Sequence, residues 1–173
     1  MIGIPEKLVD FRVYEDGSDL LGIADVKLPS FEPITETIKG AGVAGEVDSP
    51  TNGQYKSLGV TFNWRTMTDS LFELLKVKTH RLDCYGAIQV FNPATGAYKD
   101  VPAKVTMRCL PKKGESGKME SAAKQDSSSE MEIIYVKVTI DNKDVFELDK
   151  YNYVLKINGE DQLADLRAAL GLS

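Results

Sequence analysis

The run Leu58-Gly59-Val60-Thr61-Phe62-Asn63-Trp64-Arg65 puts a large apolar residue at every second position. A period of two is the spacing of a strand that has one face on a core and the other in solvent, so it predicts a half-buried β-strand. The same alternation recurs in Val101, Ala103, Val105, Met107 and Cys109 against Asp100, Lys104, Thr106 and Arg108, and again in Ile134, Val136, Val138 and Ile140 against Tyr135, Lys137 and Thr139. A chain patterned this way must build a sheet protein. Glu15-Asp16-Gly17-Ser18, Asn92-Pro93-Ala94-Thr95-Gly96 and Asp141-Asn142-Lys143-Asp144 supply the residues that reverse a chain, which predicts three hairpins. Strands are predicted at about residues 8–14, 20–28, 34–39, 58–65, 82–91, 98–109, 131–140 and 145–157.

Two segments break the period. Around Thr68-Asp69-Ser70-Leu71-Phe72-Glu73-Leu74-Leu75-Lys76, three leucines fall on one helical face behind Thr66 or Thr68 as cap. After Asn158-Gly159, a second helix is predicted, with Glu160 and Asp161 in its first turn and Leu163, Leu166 and Leu170 stacked before Gly171. The stretch 40–57 is rich in glycine, and 111–130 is rich in Lys, Ser, Gly and Glu; both read as long loops. Long loops in a compact domain are commonly functional or order against a partner. The fold class expected is therefore mainly β, a sandwich or barrel with one packed α-helix and a short C-terminal helix, over a single domain spanning 1–173.

The chain length allows a fold to bury roughly 70% of the unfolded surface, so no covalent staple is required. Its 42% hydrophobic and 27% charged residues exclude disorder of the whole chain. The register of the hairpin through Pro93–Gly96 pairs Phe91 with Tyr98 and hence Cys84 with Val105. Cys109 then lies too far along, at roughly 3.3 Å per residue, for a bridge that needs Cα atoms within about 7 Å. Both cysteines are expected to be free thiols, in a reducing compartment. The N-terminus carries no pattern of a signal peptide, and no run approaches the ~20 apolar residues of a spanning helix. A formal charge of -5 argues against a surface built to hold phosphates.

Candidate chemistry is sparse. Gly40-Ala41-Gly42-Val43-Ala44-Gly45 spells a G-x-G-x-x-G, but Glu46-Val47-Asp48-Ser49-Pro50 behind it lacks the helix that would face a pyrophosphate, so a flexible loop is expected. His80 is the single histidine and reads as a capping or surface residue. Lys112, Lys113 and Lys118, diluted by Glu115 and Glu120, read as a solvated loop. Tyr135, Tyr151 and Tyr153 read as packing or interface residues. Residue chemistry alone thus describes a mostly-β domain with no visible active site, cofactor site or metal site.

Several segments carry a resemblance that chemistry does not supply: Ile4-Pro5-Glu6-Lys7-Leu8, the stretch Glu36 to Pro50, Asn63-Trp64-Arg65, Gly86-Ala87-Ile88-Gln89-Val90, Leu110-Pro111-Lys112-Lys113, Tyr135 to Ile140, and Asn158-Gly159-Glu160-Asp161-Gln162-Leu163-Ala164 with Leu166 to Leu172. Together they resemble the major tail tube protein of contractile-tailed bacteriophages and of related phage-tail-like bacteriocins, over essentially the whole chain. Cys109 and Asn142 stand where the family usually has glycine; Asn also tolerates a left-handed backbone.

The resemblance implies hexameric rings that stack into a hollow tube, each subunit lending strands to a shared inner β-barrel, in a virion tail or tail-like particle assembled in the bacterial host cytoplasm. Implied partners are further copies of the chain, the sheath, the tape measure, baseplate and tail terminator proteins, and DNA passing transiently through the lumen. Closing such a barrel removes exposed sheet edges. Alternation then assigns a lumen face to Gly59, Thr61, Asn63, Arg65, Gln89, Asp100, Lys104 and Thr106, with Thr35 and Thr37 added. Lys27, Lys39 and Lys104 would need Asp25, Glu36 and Asp100 as offsets, or would point into interfaces. Gly40, Gly42, Val43, Gly45, Val47, Pro50, Lys112, Lys118 and Met119 are the expected intersubunit loop residues. The alternative is a soluble β-sandwich binding module that does not build a tube.

Overall fold

A computed structural model describes residues 3–172. The elements run β1 (Ile4–Glu15), β2 (Ser18–Asp19), β3 (Ile23–Lys27), β4 (Pro33–Lys39), β5 (Glu46–Tyr55), β6 (Gly59–Trp64), α1 (Asp69–Glu73), β7 (His80–Asn92), β8 (Ala97–Glu115), β9 (Ser127–Ile140), β10 (Lys143–Asp149), β11 (Val154–Ile157), β12 (Glu160–Asp161) and α2 (Ala164–Ala169). The main sheet has the order β12-β11-β10-β9-β8-β7-β1-β2, and β6 joins it through β9 while carrying β3 on its far side. All pairings are antiparallel.

Strand β9 makes the fold close. Its first half, Ser127 to Glu132, pairs with β6, and its second half, Tyr135 to Ile140, pairs with β10. The opposite edge is taken by β8 throughout, with register shifts at Arg108/Cys109 and Pro111/Lys113. Such bulges bend a strand and raise its twist, so the path β1-β7-β8-β9-β6-β3 curls until its inner faces meet. The alternating residues fill the space between: Val60, Phe62 and Trp64 from β6, Leu82 and Cys84 from β7, Met107 and Cys109 from β8, and Met131, Ile133 and Val136 from β9 are buried together. Each such large side chain contributes about 1.5–3 kcal/mol on burial. Trp64 Nε1 donates to Ser129 Oγ at 3.1 Å, so its polar atom is paired inside.

Helix α1 plugs one end of this core with Leu71 and Leu74, both buried, and Thr68 caps it by accepting from the Leu71 amide. Leu75 stays 38% exposed, lying over Gly114, where a Cβ would sit 2.9 Å from Leu75 Cδ2. The predicted turns behave as their residues require. Asp141 (φ 53°) and Asn142 (φ 61°) both adopt the left-handed conformation between β9 and β10, as do Asp16 and Gly17 between β1 and β2, the pattern of a two-residue hairpin that matches strand twist.

Four expectations are corrected. The stretch 40–57 is not a loop: Glu46–Tyr55 forms β5, which pairs with β4 as a separate two-stranded ribbon, leaving only the tip around Gly40–Gly45 irregular. Its sequence has no apolar period because the ribbon meets the body only at its base, through Gly53 and Tyr55, and the rest lies outside the core. The second loop is likewise short, since β8 runs on to Glu115 and β9 starts at Ser127. The predicted strand 145–157 is two strands, β10 and β11, reversed through residues 150–153 with Tyr153 at φ 53°. Finally, Glu160 and Asp161 form β12 ahead of α2 rather than its first turn; Asp161 accepts from the Leu163 amide and pairs with Arg167, and Leu170 remains exposed.

Candidate assembly interfaces

The outer face of the curled sheet follows from the buried one. Because Val60, Phe62 and Trp64 point inward, Gly59, Thr61 and Asn63 point outward, opposite Glu132, Glu130 and Ser128 of β9. The bulge between Ile133 and Tyr135 shifts the parity of β9 by one, so Tyr135, Lys137 and Thr139 continue the same outer face. Across from them on β8 lie Arg108, Thr106 and Lys104, and Gln89 pairs with Asp100 further along. The sheet thus brings Gly59, Thr61, Asn63, Gln89, Asp100, Lys104 and Thr106 onto one polar surface, with Arg65 exposed just past the end of β6. Thr35 and Thr37 are separated from it. They lie on the β4–β5 ribbon, where Thr37 Oγ1 donates to Asp48 Oδ1 at 2.9 Å.

The charges on this surface are held locally. Lys104 Nζ sits 3.7 Å from Asp83 Oδ1 and 4.9 Å from the centre of the Tyr85 ring, so its offset comes from Asp83 rather than from Asp100. Asp83 is itself buried and also faces Arg81 Nε at 3.7 Å; Oδ1 accepts no hydrogen bond. Arg108 lies over Tyr135 at 4.7 Å. Lys137 pairs with Asp144, whose carboxyl is held below its ordinary value first by the Thr139 hydroxyl and then by Lys137. Asp25, expected to offset a lysine, instead accepts from Asn63 Nδ2 at 2.6 Å. The result is a mixed-charge wall on which Lys104, Arg108 and Lys137 each have a local partner.

The ribbon carries the second candidate surface. Gly40, Gly42 and Val43 form its tip with Gly45, all three glycines at positive φ, while Val47 and Pro50 sit within β5 opposite Ile38 and Thr35. No helix follows the glycines, which removes the geometry a dinucleotide needs. The base of the ribbon is anchored by Phe31 against Phe146, ring centres 4.5 Å apart, with Tyr55 edge-on to both. Lys112 belongs to β8 and reaches Glu130 at 3.6 Å, so it is a strand residue, not a loop residue. Lys118 and Met119 do lie in the remaining loop; Lys118 pairs with Glu120, and Met119 is 85% exposed. Gly117 pins that loop: a Cβ there would fall 1.9 Å from the Gln125 carbonyl oxygen.

Interior polar groups serve packing. His80 is not at the surface but fully buried at the start of β7, its Nδ1 2.6 Å from Glu15 Oε1 and its Nε2 2.9 Å from the Lys76 carbonyl oxygen. It does tie down the segment that trails α1, as a cap would. Cys84 and Cys109 are free and buried, and burial pushes the Cys84 thiol up to about 12 and Cys109 higher still. A protonated, shielded thiol is a poor nucleophile.

Alternation did not single out the exposed apolar residues of β1 and its neighbours. Ile4, Leu8, Val9 and Leu28 are each at least half exposed, and with Ile38 and Val47 on the ribbon they leave apolar surface in solvent. The signal available in the sequence was the pair Leu8-Val9, which puts apolar side chains on both faces of one strand. Along most of its length β1 pairs on one side with β7 alone, β2 reaching only Tyr14 and Glu15. Among the described residues, strand β3 pairs with β6 alone.

Comparison with known proteins agrees with this geometry. The profile of the family described as phage tail tube protein FII matches residues 5–171. The chain is 27% identical over 180 residues to the tail tube protein of Escherichia phage P2, covering 99% of this chain and 100% of that one. It is 25% identical over 173 residues to the major tail tube protein of Serratia phage KSP20, covering 99% of each. Among solved structures, the sheath/tube terminator of the PVC extracellular contractile injection system shares the fold at a TM-score of 0.51 and 15% identity, over 81% of this chain and 99% of that one.

Proposed function

Because this chain belongs to the phage tail tube protein FII family, a family of structural proteins of the virion tail or tail-like particle and not of enzymes, we propose that it is the repeating subunit of a tail's inner tube. Copies close into hexameric rings, the rings stack, and a contractile sheath surrounds the resulting conduit. The observation that carries this reading is the pair of unpaired strand edges on β1 and β3 beside exposed apolar side chains. A free protein with such edges invites association, and a closed ring of copies consumes them.

In this reading the polar outer face of the main sheet lines the bore. Gly59, Thr61, Asn63, Gln89, Asp100, Lys104 and Thr106 recur in every subunit, so an untethered lysine would repeat around each ring and grip phosphates through counterion release. Asp83 and Tyr85 restrain Lys104, which favours weak contact with passing DNA. Thr35 and Thr37 belong to ring-to-ring or subunit-to-subunit contact instead, with the ribbon tip and the Lys118–Met119 loop. The sheath, tape measure, baseplate and terminator proteins complete the set of partners.

Negative-stain electron microscopy of the purified protein at rising concentration tests the proposal. Rings and tubes of constant diameter are the expected result. Single particles at every concentration would overturn it and favour the soluble binding module.

A further inference from the structure

The curled path β1-β7-β8-β9-β6-β3 does not quite close on itself. At one end the chain between β2 and β3 bridges the gap, with Leu20 donating to the Val13 carbonyl and Arg65 to the Gly22 carbonyl. At the other end β1 and β3 stand apart across a groove of about 270 Å³, with Leu8 and Phe11 on one bank, Val26 and Leu28 on the other, and Gly86 and Val105 in the floor. Both banks are strand edges with unspent backbone donors and acceptors. A seam of this kind is incomplete, because buried backbone groups need partners and apolar walls need cover.

Among the described residues, the β4–β5 ribbon is an element that pairs with no other strand on either side. Its two faces differ. Thr35, Thr37 and Lys39 share one with Pro50, Asp48 and Glu46, while Glu36 and Ile38 share the other with Ser49 and Val47, Ile38 and Val47 being directly paired across the strands; Ile34 lies at the base, beside Tyr55, Leu163 and Leu166. Ile38 and Val47 are 43% and 54% exposed. Pro50 supplies no amide donor to β5, whereas β4 has no proline beyond Pro33 and keeps a full set of backbone donors. The ribbon therefore offers what the seam lacks: a free strand edge and an exposed apolar pair, Ile38 and Val47.

We infer that the ribbon of one copy packs its Ile38–Val47 face over the β1–β3 seam of a neighbouring copy, setting the β4 edge beside the unpaired edge of β3. The occupant is a second copy of this chain, since among the described residues no segment of the same copy covers the seam, and the ribbon is the next strand pair after β3, five residues on. This assignment rests on the tube reading and specifies which surfaces meet within it. It also makes the glycine-rich tip a reach device, because positive φ at Gly40, Gly42 and Gly45 lets the ribbon turn back on itself without a side-chain penalty.

Disulfide trapping between differently tagged copies tests the contact. One population carries Ile38→Cys and the other Leu28→Cys, both at surface positions, and the two are mixed, assembled and oxidised. The expected result is a heterodimer band in tubes that is at least tenfold stronger than the band from Thr37→Cys, on the opposite ribbon face, mixed with Leu28→Cys. Equal bands from both mixtures, or none from Ile38→Cys, overturn the assignment. A second measurement needs no new thiol: Ile38→Asp should abolish tubes in electron micrographs while the circular dichroism spectrum and monomer elution stay those of the parent, and Val77→Asp, the same kind of change at an exposed position off both the ribbon and the seam, should assemble. Tubes from Ile38→Asp sink this contact but leave the tube reading standing; absence of tubes from the parent chain sinks both.

Discussion

His80 and Glu15, 65 residues apart in sequence, meet in the interior with imidazole Nδ1 2.6 Å from the carboxylate. The other ring nitrogen faces the Lys76 carbonyl, which can only accept, so both ring nitrogens have a polar partner in the interior. The pair fastens the segment behind α1 to the end of β1. Glu15→Ala leaves a buried ring nitrogen without its partner and is expected to cost about 1–3 kcal/mol, whereas Glu15→Gln, which keeps an acceptor, costs less. Urea denaturation of the two variants measures this; a loss below about 0.5 kcal/mol for Glu15→Ala would show that the contact holds nothing.

Gly53 is where the ribbon packs on the C-terminal segment. A Cβ at this position would stand 2.3 Å from Leu163 Cδ2, and its φ is +75°. Beside it, Asn52 Nδ2 donates to the Gln162 carbonyl. Gly53→Ala is expected to cost about 1–3 kcal/mol through clash and strain and to lift α2 off the body. Limited proteolysis should then cut near 160–172 in the variant at protease levels that spare the parent. Identical digestion patterns would refute this account.

The interior thiols predict an alkaline weakness. Cys84 is raised from 9.0 to about 12 in the folded chain, first by burial and then by the charge of Asp83. Between those values the unfolded chain has released a proton that the folded chain keeps, so stability falls as pH climbs above 9. At pH 10 the loss from this group approaches about 1.4 kcal/mol. The urea midpoint of the parent should drop more between pH 8 and pH 10 than that of Cys84→Ala, and parallel drops would contradict the shift.

Asp83 restrains Lys104 at 3.7 Å on the proposed bore surface. Asp83→Asn removes that restraint in every subunit, and because each freed lysine adds a phosphate contact, tubes of the variant should hold a short DNA duplex to a salt concentration about twofold higher than parent tubes. Lys104→Gln in the same background should reverse the change. Unaltered release would take Lys104 off the lumen wall.

Much of the sheet was legible because hairpin register is set locally. The turn through Pro93–Gly96 placed Phe91 opposite Tyr98 and Cys84 opposite Val105 by counting alone, and both pairings are present. The free thiols and the Thr68 cap followed from similarly local arithmetic. Strand β5 escaped because Glu46–Tyr55 is extended by its pairing with β4, not by burial, and only burial writes a period into a sequence. The burial of His80 escaped for a related reason: its partner lies on a strand that no spacing rule connects to it.

Alternation by itself determined that this chain is a β protein, which side of β6 through β9 is core, and where its tight reversals fall, since side-chain direction along a strand and backbone sign in a turn are properties of neighbouring residues. Only the tertiary structure decided that β9 hands its edge from β6 to β10, that β1 and β3 are left facing across an open seam, and that the ribbon stands free. Those outcomes depend on how bulges at Arg108/Cys109 and Pro111/Lys113 bend strands far apart in the chain toward one another, and curvature accumulated over many residues has no signature in any short stretch of sequence.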